Sequence, residues 1–124
     1  MDKDDEVEEL IVRNLSNDAE KSTFENGYSE SVTLKEMKVV RVTLEPGWGV
    51  SSDDDANTNN KYCQKSHHIL VVSGTLGLEL DDGTKIEIAS GSGAAIPPGH
   101  HGWTVGDEEL VYLEFQRGTP STLK

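Results

Sequence analysis

From Tyr28 to Phe115 the chain consists of short runs rich in β-branched and aliphatic residues, each closed by glycine, proline or acidic turn signals. Nowhere in that interval do apolar residues recur at helical spacing over a useful length. The runs are SESVTL, MKVVRVTL, HHILVVSG, TLGLELDDGTKIEI, GAAIP and LVYLEF. A chain punctuated in this way has no long apolar stripe to bury along a helix, so its core must come from alternate side chains of packed strands. The predicted class is all-β, a sandwich or a barrel. Alternation is plainest in TLGLEL and TKIEI, and Asp81-Asp82-Gly83 between them supplies the residues of a tight hairpin turn. EPGWG (Glu45 to Gly49) and IPPGHHG (Ile96 to Gly102) place proline and glycine where a continuous central ladder has to bend or stop.

A length of 124 residues suits one domain with a single core. Residues 1–27 read as an acidic N-terminal segment, frayed or added as an edge strand, and carry no assigned chemistry; residues 28–118 read as the β domain and 119–124 as a tail. No basic start leads into a long apolar run, and the longest apolar stretch, Ile69 to Val72, is far too short to span a bilayer. A soluble, cytoplasmic protein is the expectation. The formal net charge of −12, from 23 acidic against 11 basic residues, repels polyphosphate, so neither nucleic acid nor an anionic membrane is expected as a partner. The acids gather in MDKDDEVEEL, at Asp53 to Asp55 and around Asp81, as solvated tails and turns do. Asp53, Asp55 and Asn57 alternate like the opening of a calcium loop. However, Thr58 stands where that loop turns on glycine and Gln64 where it needs a bidentate glutamate.

The stretch YCQKSHH contains the one cysteine and half of the histidines. One cysteine cannot form an internal disulfide, so the thiol is buried, reactive or a ligand. All four histidines occur as neighbours, His67-His68 and His100-His101, and a strand sends successive side chains to opposite faces. Each pair therefore offers one imidazole to the interior. Cys63 and His67 are an even number of residues apart, which in a regular strand puts them on one face with Ile69 and Val71. Thiolate and imidazole together suit zinc, iron, nickel or copper rather than calcium or magnesium. The plainer reading stays open beside this one: a lone cysteine usually packs in a core, and a histidine at a strand end is usually a satisfied surface group.

Gly91 to Gly99, GSGAAIPPG, resembles the second cupin motif: glycine, five residues, proline, any residue, glycine. Val71-Val72-Ser73-Gly74 resembles the end of the first motif, and the similarity runs from about Lys38 to Phe115, including LEPGW. The resemblance implies a cupin-type jelly-roll β-barrel or sandwich, commonly dimeric, holding a metal or small ligand inside. The match departs from the family at the ligands. His67 stands where the first motif has its glutamate, Cys63 matches its second histidine and Lys61 its first, while the histidine of the second motif falls on Gly102, two residues after His100. Cys63, His67 and His100 can rebuild a three-ligand site from the same strands.

Two functions follow. One is a cupin holding a divalent transition metal (zinc, iron or nickel) at Cys63, His67 and His100, with small-molecule chemistry of oxygenase, isomerase or lyase type. The other is a metal-free, non-catalytic module for a small organic ligand. Lys61, Trp103 and Glu114 are the candidate substrate-binding residues, Lys61 by attracting an anion and Glu114 as a carboxylate ligand or general base on the last strand. Trp103 and Trp48 can equally cap the core. Because His68, Leu70 and Val72 face away from Ile69 and Val71, both faces of that strand need cover, and a homodimer is expected.

Overall fold

The computed structural model describes residues 9–49 and 66–117, so Lys61 and Cys63 lie outside the described residues. Nine strands follow one another: β1 (Glu20–Phe24), β2 (Gly27–Leu34), β3 (Met37–Leu44), β4 (His67–Ser73), β5 (Thr75–Leu80), β6 (Lys85–Ala89), β7 (Gly93–Ile96), β8 (His100–Thr104) and β9 (Leu110–Arg117). The described residues contain no helix. The strands form a six-stranded sheet in the order β1-β2-β3-β9-β4-β7 and a three-stranded sheet in the order β6-β5-β8. Every pairing is antiparallel.

The predicted runs correspond to β2 to β7 and β9, and the Asp81-Asp82-Gly83 turn joins β5 to β6. Gly83 adopts φ 91°, which a side chain resists, and Thr84 N–H donates to the Asp82 carboxylate at 2.9 Å. The Thr84 hydroxyl, and after it this N–H, hold the Asp82 carboxyl below the usual carboxylate range. Two strands were not among the runs. β1 carries the exposed pattern EKSTF and pairs only at the sheet edge, and β8 begins immediately after the Pro-Gly turn, which interrupts the ladder without ending it.

One apolar core joins the two sheets. The six-stranded sheet contributes Val42, Leu44, Ile69, Val71, Ile96 and Leu110, and the three-stranded sheet contributes Leu76, Leu78 and Ile88. Leu44, Val71 and Leu110 are among the most completely buried side chains, each contributing about 1.5–3 kcal/mol by leaving water. The ladder fixes which residues share this interior. Val42 pairs with Tyr112 and Tyr112 with Val71, so the inward set on β9 is Leu110, Tyr112 and Glu114, and on β4 it is His67, Ile69 and Val71. A register shift between Val71 and Ser73 bends β4 just before Gly74. Gly74 then turns the chain into the other sheet at φ 79°, with its Cα against the Glu109 carbonyl, where a Cβ has no room.

Candidate functional site

Beyond the apolar core, polar residues occupy the inward positions. On β4 the alternation leaves His68, Leu70 and Val72 exposed and directs His67, Ile69 and Val71 inward. On β8 the partner of Leu80 is His100 and the partner of Leu78 is Gly102, so His100 shares the inner face with these two leucines of β5. His100 is 7% exposed and Glu114 8% exposed, both buried despite their polarity. The three groups meet. The His67 and His100 rings lie edge to face with centroids 5.0 Å apart, and His67 Nδ1–H donates to the Glu114 carboxylate. His67 and Glu114 come from the six-stranded sheet and His100 from the three-stranded one, so the cluster bridges the gap between them.

The second ring is fixed by a different acceptor. His100 Nδ1–H donates to the Pro97 carbonyl at 2.9 Å, a bond that closes the Pro97-Pro98-Gly99 turn back onto the first residue of β8. Both rings thus use Nδ1 to bind an oxygen acceptor, and Nε2 is the nitrogen each can bring to a metal. The donor chemistry fits a transition metal, and His67 and His100 supply two positions. Among the described residues no group of three histidine, cysteine, aspartate or glutamate side chains is arranged to hold an ion. The third donor nominated by the sequence, Cys63, lies outside the described residues, as does Lys61.

The remaining nominated residues divide. Glu114 joins the cluster through His67. Trp103 does not: it has the opposite parity to His100, and its indole lies over Gly77 of β5, on the face of the three-stranded sheet away from the histidine cluster. His101 sits beside that indole, with ring centroids 5.9 Å apart, and its Nε2–H donates to the Gly49 carbonyl at 3.1 Å. Trp48 takes the inward place opposite Gly102 and packs on the core, while its carbonyl accepts from Thr104 N–H at 2.9 Å. The Pro97 carbonyl was not foreseen from the sequence; the signal was present in a proline-rich turn whose first carbonyl stands three residues before a histidine.

The two antiparallel sheets closed on one core match cupin-superfamily structures, and the chain is a cupin-fold domain. No protein-family profile matches it. No curated protein matches it in sequence either. Solved structures do. An oxalate decarboxylase of Lactobacillus farciminis, in a formate complex, is 17% identical with a TM-score of 0.61, the match covering 90% of this chain and 35% of that one. A cupin-superfamily sugar phosphate isomerase from Silicibacter pomeroyi is 22% identical with a TM-score of 0.61, over 86% of this chain and 75% of that one. A protein of unknown function from Vibrio parahaemolyticus is 13% identical with a TM-score of 0.58, over 78% of this chain and 96% of that one. The chain therefore spans about a third of the decarboxylase it resembles, and at these identities the likeness is one of fold.

Proposed function

We propose that this cupin-fold domain holds one divalent transition metal between its sheets through Cys63, His67 and His100, leaving a coordination position to a small-molecule ligand. The supporting observation is the edge-to-face contact of two inward imidazoles from opposite sheets, each with Nδ1 engaged by an oxygen acceptor. A bound ion would supply Lewis acidity towards a ligand oxygen. The chain's own residues do the rest. The β4 and β8 alternation aims the two rings, the apolar floor of Ile69, Leu78 and Ile96 excludes water beneath them, and Lys61 attracts an anionic ligand.

The names of the structural neighbours, an oxalate decarboxylase and a sugar phosphate isomerase, support a small carboxylate- or phosphate-bearing ligand and lyase or isomerase chemistry. The proposal is tested by metal analysis of the purified protein with and without supplementation by zinc, iron and nickel, alongside Cys63→Ala. Stoichiometric metal that disappears in the variant is the expected result. Metal absent under every condition would replace this reading with the metal-free ligand-binding module.

A further inference from the structure

Glu114 stands at an unusual place for a carboxylate. In the ladder it lies between Val40 on β3 and Ile69 on β4, both apolar, and it is 8% exposed. A carboxylate stripped of water is expensive to keep without a partner, and His67 Nδ1–H donates to the carboxylate of Glu114. An imidazole's two nitrogens point to opposite sides of its ring. An ion on Nε2 of His67 therefore lies across the ring from Glu114, which places the carboxylate behind the donor rather than beside the ion.

We infer that Glu114 is the positioning residue of the centre: its carboxylate holds His67 in the Nδ1–H tautomer and fixes the ring's rotation, so that Nε2 faces His100. This role rests on the metal reading above. It has a counterpart within the same site, since the Pro97 carbonyl does for His100 what Glu114 does for His67. The two rings thus come from opposite sheets with the same nitrogen, Nδ1, engaged. Glu114 is thereby reassigned from substrate contact to support of a ligand, the pattern in which a metal-bound histidine donates its other N–H to a carboxylate.

The test uses the full chain, metal-free and labelled with 15N-histidine, in mildly alkaline buffer. Long-range 1H–15N correlation reads each tautomer, with His67 assigned by its absence in His67→Gln, and zinc affinity is measured by chelator competition. The wild type and Glu114→Gln, whose amide oxygen still accepts, are expected to show His67 as Nδ1–H. Glu114→Ala is expected to move His67 towards Nε2–H and to weaken zinc by about 10–100-fold, with the glutamine variant closer to wild type. If the alanine variant does not fold, as judged by amide dispersion, the wild-type tautomer and the glutamine affinity still decide the matter. A wild type that binds zinc but shows His67 as Nε2–H when metal-free overturns this inference and leaves the metal reading standing. A wild type that shows Nδ1–H yet takes up no zinc removes the metal reading, and the positioning role with it. Equal zinc affinity in the wild type and a folded Glu114→Ala also overturns the inference.

Discussion

His67 and His68 are neighbours on one strand, and a single step along the chain decides which of them can reach the interior. The exposed side of β4 holds His68, and the side with Ile69 and Val71 holds His67. On β8 the same rule gives a buried His100 and an outward His101 bound to the Gly49 carbonyl. Replacing each by alanine should therefore separate the four. His67→Ala and His100→Ala are expected to lose metal by well over the ~10–100-fold of a supporting residue, while His68→Ala and His101→Ala retain it, as metal content after dialysis would report. His101→Ala should cost about 1 kcal/mol through the lost bond to the 45–49 turn, and His68→Ala less than about 0.5 kcal/mol. Retention of metal by His100→Ala with loss in His101→Ala would reverse the assignment on β8. These facings were legible in the sequence because strand parity is a local property. The contact of His67 with Glu114 was not, because it depends on how β4 slides against β9, a register set by Ile69 opposite Glu114, 45 positions further along the chain.

At the scale of elements, β8 is the strand the sequence disguised. HHGWT has no apolar alternation, and what makes it a strand is supplied by others: β5 along one edge, and a Trp48 carbonyl accepting from Thr104 N–H. Its outer side depends on Gly77, because a methyl there would overlap the Trp103 indole. Gly77→Ala is thus expected to displace Trp103 and cost about 1–3 kcal/mol, read as a lower denaturant midpoint and, in a Trp48→Phe background, a red-shifted emission. An unchanged midpoint and spectrum would mean that the indole does not rest on β5. The β2–β3 pair carries a separate test. Arg41 Nε–H donates to the Glu30 carboxylate at 2.9 Å across paired positions, and this hydrogen bond holds the Glu30 carboxyl below its usual range. With the folded value depressed, the pair's stabilisation is present above the ordinary glutamate range near ~4.3 and is lost as pH falls through the lower folded value. Comparing urea midpoints of wild type and Glu30→Gln from neutral pH to about pH 3 should show a difference of at most about 1 kcal/mol at neutral pH that closes in acid. A difference that widens in acid would contradict the sign.

For the whole molecule the governing quantity is the charge. A net −12 on 124 residues opposes the compact state by self-repulsion, and salt relieves it. Against that background one two-stranded strip of the surface carries no charge, bordered by Arg41 of β3 opposite Leu113. The outward positions of β4 are His68, Leu70 and Val72, those of β9 before its end are Val111, Leu113 and Phe115, and Leu70 pairs directly with Leu113. In a chain with 27% charged residues, this strip holds none, and Leu70, Val72 and Phe115 are 37%, 50% and 36% exposed. Depletion of charge with retained aliphatic and aromatic bulk is the composition of an interface core, and we propose that a second copy of the chain covers this face. The copies would bring like charges together, so the dimer should be weaker at low ionic strength and tighten as the Debye length falls from about 30 Å at 0.01 M to about 8 Å at 0.15 M. Sedimentation velocity at micromolar concentration is expected to show a shift from monomer towards dimer over that range, and Leu70→Lys with Val72→Lys should abolish it. The unfolding midpoint of the lysine variant gives the control. Salt should still raise it, because self-repulsion within one chain persists when the face between chains has been spoiled. A wild type that remains monomeric at every salt concentration would leave charge repulsion as a property of the single domain and remove the dimer.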